Sequence, residues 1–410
     1  MTDLLRQLEE EVGKCISCGF CESVCPTLPA SGYDLWKGAR GRVILGKELL
    51  NSMNMEGKPN LQLSDSFYSC LDCFACLQVC PAGVNAGVVS HLSRSILAGA
   101  KMKGSRNPYA SMIVAATMKY MNPLGIHRGL GSWASGLKFS DRSENLLYTG
   151  NMYQLMAYTG KMNAMRSLMG DAMGRFMAAM ASEIPSLVRI SATQYDKDFK
   201  AKLDQSLRNI AELLARAGVN FSYMGDEEPY PGTFIYDLGY LEEFREYSAK
   251  VYRMLKKTGA RRIITVDPHT YDLLRNAYPK YVKGFDLEVV FYTDLLDQSK
   301  LHSTGKNVAY HEPCHFVLRT DAYNRPLELL RSASEVKLPA RSGKRNRCCG
   351  GPDELIFPDL SEKISNDRYA ELEAIGADEI VTACPICLSN LSKKGKVSDI
   401  SGLLLEAMKG

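Results

Sequence analysis

CISCGFCESVCP (15–26) and CLDCFACLQVCP (70–81) are one pattern written twice, C-x2-C-x2-C-x3-C followed by proline. Three thiolates at that spacing wrap one face of a four-iron cubane. The fourth cysteine of each run reaches the other cluster, where the proline turns the chain away. The doubled run predicts a helical bis-[4Fe-4S] ferredoxin domain over 1–100, with one cubane on Cys15, Cys18, Cys21 and Cys80 and the other on Cys25, Cys70, Cys73 and Cys76. A pair of zinc sites also uses closely spaced cysteines, but a double run with its prolines is the iron-sulfur form. Gly19 and the small Ser17, Ala75 and Ala82 let backbone pack close to inorganic sulfide, and Phe20 and Phe74 read as core shielding.

Working outward, the other five of the 13 cysteines lie between Cys314 and Cys387, and the 233 residues from 81 to 313 hold none. With 410 residues, 45% hydrophobic and 23% charged, the chain is long enough for two or three domains with real cores. It opens MTDLLRQLEEEV without a secretory signal, so the cysteines point to a reducing, cytoplasmic setting. No apolar run approaches the ~18 to 20 residues that cross a bilayer, which leaves peripheral membrane contact or contact through a partner. A net charge of +4 makes no case for nucleic acid.

From Cys73 to Ser140 there is no acidic residue, while Arg94, Lys101, Lys103, Arg106, Lys119, Arg128 and Lys138 give seven positive charges. The basic connecting segment 101–143 is therefore either a dock for an acidic partner or anionic lipid, or a solvated face. Met162, Met165, Met169, Met173, Met177 and Met180 fall at steps of three and four, a single stripe on a helix. It is expected to be core, with partner docking as the alternative.

Beyond 143 the chain repeats itself. RRIITVD and DEIVTAC are β-branched runs that follow KKTGA and EAIGA and close on proline before a helix-compatible stretch, as in a parallel sheet. ENLLYTGN (144–151) matches KNVAYHEPC (306–314), EPYPG (228–232) matches RCCG (347–350), and ITVDPHTYDLL matches VTACPICLSNL. The expected fold class is α+β and α/β multidomain, with two α/β halves at 144–300 and 301–410. Between Asn151 and Tyr230 lie 78 residues, against 33 between Cys314 and Cys348, so the first half carries an insertion that holds the methionine stripe.

Cys314, Cys348, Cys349, Cys384 and Cys387 each sit at a predicted strand end, where open α/β sheets bind ligands. Five thiols converging there are metallated, redox-active or both. The competing readings are buried small hydrophobes and a thioredoxin-like dithiol at Cys384 and Cys387.

Cys-x33-Cys-Cys-Gly…Cys-x-x-Cys resembles the cysteine-rich CCG domain of heterodisulfide reductases, and the ferredoxin-then-CCG order resembles the D-type subunit of heterodisulfide reductase. CGFCESVCPTLPASGYDLWKGARGRVILGKELL is also similar to the opening of glycolate or lactate oxidase iron-sulfur subunits, which partner a flavin subunit. The resemblance implies a noncubane [4Fe-4S] cluster on the five cysteines, at which a thiol or disulfide reacts, in an anaerobic-type oxidoreductase. It also implies a redox partner, a flavoprotein or a membrane haem subunit, with FAD or haem only in that chain, since no G-x-G-x-x-G fingerprint is present. The first half departs from the pattern. Asn151, Tyr230-Pro231, Asp267 and Thr270 stand where cysteines would be, so one noncubane cluster is expected and not two, with Asp267 and His269 as candidates for a substrate-binding role at the vacated place.

Overall fold

The computed structural model describes residues 1–102, 104–126, 128–320 and 323–408, apart from the side chain of Ser191. In TDLLRQLEEEVG, Leu8 and Val12 stand one turn apart, and Thr2–Gly13 is a helix that buries both. It packs on the helices Ala39–Glu56 and Ala86–Gly99 around Leu8, Leu49, Val89 and Ile96, all fully buried. The side chain of Asn85 starts the third helix by accepting hydrogen bonds from the N–H groups of Gly87 and Val88.

The two cysteine runs are loops held on this frame. Their backbones repeat in detail: Ser17 and Asp72 take left-handed φ of 59° and 48°, and Gly19 and Phe74 take 84° and 62°. Phenylalanine carries a steric cost in that conformation which glycine escapes. Phe74 lies over Gly87, where a Cβ would come within 2.7 Å of its ring.

Two parallel sheets follow. The first holds β1 (Asn145–Tyr148), β2 (Ser222–Tyr223), β3 (Arg262–Thr265) and β4 (Glu288–Phe291) in the order β2-β1-β3-β4. The second holds β5 (Asn307–His311), β6 (Glu335–Lys337), β7 (Glu379–Thr382) and β8 (Val397–Asp399) in the order β6-β5-β7-β8. The order is the same in both, and β1 aligns with β3 as β5 does with β7. The central strands are buried almost throughout because helices cover both faces. Asp267 and Cys384 match as well: each is the N-cap after its strand and each precedes a proline at the first helical position.

The inserted segment differs from its sequence reading. Gly170, at φ 75° and ψ 164°, ends the helix Met152–Met169, and a second helix runs from Asp171 to Glu183, so the methionines do not share one helix. Nor are they core. Met162 is buried, but Met165, Met169, Met173, Met177 and Met180 are exposed, together with Leu168, Phe176 and Ile184. The physical reason is close approach: Gly174, Ala178 and Ala181 turn inward against the helix Pro108–Tyr120, and a Cβ on Gly174 would meet the Tyr109 hydroxyl at 2.4 Å. Small residues take the packed face, and the large ones are left outside.

The basic segment is not a uniform surface either. Arg94 is buried and bonded to Asp72 at 2.8 Å, Lys101 and Arg106 pair with Glu242 and Glu243, and Lys119 lies over the ring of Tyr120. Arg128 and Lys138 are exposed, while Lys103 lies outside the described residues.

Candidate metal centres

The eight N-terminal cysteines fall into two sets in space. Cys15, Cys18, Cys21 and Cys80 line one small cavity, and Cys25, Cys70, Cys73 and Cys76 line another, so the fourth cysteine of each run crosses to the other set. Burial, then the neighbouring Glu22, pushes the Cys21 thiol up to about 12, and burial does the same for Cys76. Thiols held neutral in that way become thiolates only when a metal's charge replaces the proton, which is how the donor sets fit iron. Backbone N–H groups already face the sulfurs: Ser17 donates to Cys15 at 3.4 Å and Val84 to Cys80 at 3.2 Å.

The second set has a cation built beside it. Arg42, fully buried, donates to the carbonyls of Ser66 and Ser69, to Thr27 Oγ1 at 3.0 Å and to Cys25 Sγ at 3.7 Å. It belongs to GARGR, where a Cβ added to Gly41 would stand 1.8 Å from the Leu35 carbonyl, so that helix start is pressed tightly in. The first set lies nearer solvent. Cys18 is exposed, and so are Ile16 and Phe20 beside it, which places Phe20 on the surface and not in the core.

All five C-terminal cysteines are buried, at 5% exposure or less, and converge. Cys348 lies beside Cys314 and Cys349, and Cys349 beside Cys387, which in turn meets Cys384. These contacts hold the Cys349 sulfur well below the ordinary thiol range and push Cys348 and Cys387 well above it. The N–H groups of Gly350 and Gly351 face Cys348 and Cys349 at 3.5 Å. Glycine is required at both places: Gly350 has φ 85°, and a Cβ on Gly351 would stand 2.3 Å from Ile386 of the Cys-Pro-Ile-Cys turn.

His311, at the end of β5, is a member of this site that sequence reasoning missed. One nitrogen of its buried ring lies within 4.8 Å of the sulfurs of Cys349 and Cys387. Arg368, also fully buried, donates from Nε to His311 Nδ1 at 3.0 Å. A guanidinium cannot accept, so Nδ1 is the acceptor and the hydrogen sits on Nε2, which has no other partner among the described residues and is left for the sulfurs. Arg368 is itself fixed by the Arg341 carbonyl, Glu371 and Asn346. Behind Gly351 and Ile386 lies a cavity of about 90 Å³ with apolar walls that include Met112, Leu155 and Met156.

The N-terminal module and the five-cysteine site meet. Cys73 and Cys314 belong to one buried cluster across the domain junction, and burial first, and the charge of Cys314 next, push the Cys73 thiol well up. Arg319, a turn after Cys314, closes that junction by stacking on Phe74 at 4.6 Å and donating to the Asp72 carbonyl at 3.1 Å.

Among the described residues the first half holds no comparable set. Tyr230 fills the place of the paired cysteines, fully buried, with its hydroxyl accepting from the Phe234 N–H. Asn151 donates to the Glu228 carbonyl, and the Glu228 carboxylate accepts from Thr149 and Asn151. Asp267 caps its helix through Thr270 and is fully buried. His269 turns away from Asp267 and stacks on His315 of the other half, centroids 3.8 Å apart.

A 4Fe-4S dicluster domain model matches residues 11–84, and the cysteine-rich CCG domain model matches 308–392. The D-type subunit of the dihydromethanophenazine:CoB–CoM heterodisulfide reductase of Methanosarcina barkeri is 23% identical over 435 residues, covering 97% of this chain and 94% of that protein. The chain thus joins a dicluster domain to a CCG domain, and it is similar to the D-type subunit of heterodisulfide reductase over nearly its whole length. A probable glycolate oxidase iron-sulfur subunit of Bacillus subtilis is 24% identical, covering 98% of this chain and 95% of its own length. The probable iron-sulfur-binding oxidoreductase FadF of the same organism is 29% identical over 202 residues, and there the match spans 47% of this chain and only 28% of the relative. The domains and the relatives make this chain an iron-sulfur redox protein. Among its described residues no helix is long and apolar enough to cross a membrane.

Proposed function

We propose that this chain is the electron-transferring subunit of a redox complex. In this reading it carries two [4Fe-4S] cubanes, on Cys15, Cys18, Cys21 and Cys80 and on Cys25, Cys70, Cys73 and Cys76, and one noncubane [4Fe-4S] cluster on Cys314, Cys348, Cys349, Cys384 and Cys387. The clusters, when bound, would supply two one-electron steps, and with two protons taken up from solvent these cleave a disulfide into two thiols. The observation that carries the reading is the junction: Cys73 of the second cubane set and Cys314 of the five-cysteine set belong to one buried cluster, sealed by Arg319. The exposed Cys18, with Ile16 and Phe20 beside it, gives a partner protein its point of entry at the opposite end. That partner is a cytoplasmic flavoprotein or the cytoplasmic face of a membrane haem subunit.

A second reading, a relay for a flavin-dependent 2-hydroxy-acid dehydrogenase with no substrate of its own, draws on the same burial. Five sulfurs at 5% exposure or less are shielded from a bulky polar substrate. Anaerobic iron quantification comes first: about twelve irons per chain fit three clusters, about eight leave the five-cysteine site without iron. The artificially reduced chain is then offered disulfides. Turnover that disappears in Cys348→Ser with the cubanes intact supports disulfide chemistry at the site. Twelve irons with no turnover favours the relay.

A further inference from the structure

Three side chains from both α/β halves meet beside Cys314 without a cysteine among them. Asp237 ends the short helix Thr233–Asp237, His269 lies in the turn after β3, and His315 follows Cys314; one ligand atom of each lies within 4.8 Å of the other two. His269 and His315 are 5% and 3% exposed, and His269 Nδ1 has no hydrogen-bond partner among the described residues. His315 places Nδ1 3.7 Å from Cys314 Sγ and Nε2 3.8 Å from Asp272 Oδ2. If Cys314 ligates iron, as the reading above holds, its sulfur is an acceptor only. The hydrogen of His315 is then on Nδ1, and Nε2 turns a bare lone pair toward a carboxylate. The Asp272 carboxylate is already held by Arg319 at 2.7 Å, so the lone pairs of His315 Nε2 and of the buried, unpartnered His269 are free for an ion.

The local charges leave room for one. Arg94 pairs with Asp72 at 2.8 Å, and Arg319 with Asp272 at 2.7 Å, so two guanidiniums face the three carboxylates of Asp72, Asp272 and Asp237. Asp237 is the carboxylate left without a guanidinium contact among the described residues. It also lines, with Asp72, His91 and Arg319, a cavity of about 500 Å³ open to solvent, which is a route for an ion.

We propose that Asp237, His269 and His315 form a mononuclear site for a divalent transition metal that ties the two α/β halves together next to Cys314. Two imidazoles and one carboxylate suit Zn²⁺ or Fe²⁺, with the remaining positions taken by water from the cavity. The charge of the ion sits close to Cys314 and, across Asp72, to the second cubane.

The test uses the full-length holoprotein, equilibrated anaerobically with zinc and freed of excess by gel filtration, with zinc and iron counted together and the zinc shell read by X-ray absorption. The expected result is one zinc per chain in a nitrogen and oxygen shell, retained by the wild type and reduced at least ten-fold in His269→Gln and in Asp237→Asn, with iron unchanged in both. Should His269→Gln also lose iron, Asp237→Asn alone decides. Zinc that stays in both variants, zinc with sulfur in its shell, or a wild type that retains none overturns the site. Failure of the electron-transfer reading would appear separately, as an iron count of about eight in the wild type.

Discussion

At the scale of single residues, the group that most alters the chemistry of the five-cysteine site is His311. Its tautomer is dictated by Arg368, and its free N–H is left for Cys349 and Cys387. A donor to a cluster thiolate favours the reduced, more negative state, so His311→Ala should lower the potential of the cluster bound there. A hydrogen bond to a charged group is worth ~1.5–3 kcal/mol, of which only the difference between oxidation states counts, giving a shift on the order of 60 mV per electron. A potentiometric titration followed by electron paramagnetic resonance reads it, and an unchanged midpoint would remove His311 from the site. The sequence could not have offered this residue. It lies three positions before Cys314 in a strand, a spacing that matches no short ligand motif, and its role depends on Arg368, 57 residues on. Glu228 makes a second case. Burial raises its carboxyl to about 7 from an ordinary 4.5. A raised carboxyl contributes stability that is present below pH ~4.5 and lost as the pH rises through about 7. Thermal midpoints measured from pH 4 to 8 should therefore fall more steeply in the wild type than in Glu228→Gln. Parallel curves for the two proteins would show that Glu228 does not titrate in that window.

Among the elements, the Cys-Cys-Gly-Gly loop and the Cys-Pro-Ile-Cys turn act as one piece. Gly351 must lack a Cβ because Ile386 stands 2.3 Å from where it would be, and Ile386 lies between two of the five cysteines. Gly351→Ala therefore moves Cys349 and Cys384 apart, and the purified variant should lose about a third of its iron, the share of one cluster in three, while the cubane spectrum persists. Full iron in that variant would mean the loops tolerate a Cβ and the packing is looser than it looks. This loop pair was legible in the sequence, because a glycine pair after adjacent cysteines and a proline after a β-branched run each carry a backbone requirement. The repeat of the two halves was legible for the same reason: Asp267-Pro268 and Cys384-Pro385 occupy one capping position in two sheets of one order. The methionine stripe was not. A period of three to four shows that residues share a face, but which face is buried was settled by Gly174, Ala178 and Ala181, whose small size permits a closer helix contact than methionine would.

Across the whole molecule, one buried side chain makes four hydrogen bonds at the junction of the ferredoxin module and the first α/β half. Arg94 donates to the carbonyls of Phe67 at 2.9 Å and Cys70 at 2.5 Å, to the Asp72 carboxylate at 2.8 Å, and across the junction to the Asp237 carbonyl at 2.6 Å. Along the chain, Arg94 is one of seven positive charges in an acid-free stretch, and nothing local separates it from the exposed Arg128 and Lys138. Its partners are brought by folding, from 22 residues before it and 143 after it. Removing one member of a buried ion pair leaves the other unpaired, at a cost of about 3–5 kcal/mol, whereas replacing both by apolar groups can recover much of that loss. Arg94→Met should thus loosen the junction first. A chain of several domains does not unfold in two states, so the readout is the separation of transitions. Bleaching of cluster absorbance should move to lower temperature than the loss of far-ultraviolet circular dichroism, where the wild type shows both together. In the double variant Arg94→Met/Asp72→Leu the two curves should draw back toward each other, because no buried carboxylate is left alone. Coincident transitions in Arg94→Met would mean that the packing of Arg319 on Phe74 and its bond to the Asp72 carbonyl hold the module in place without it.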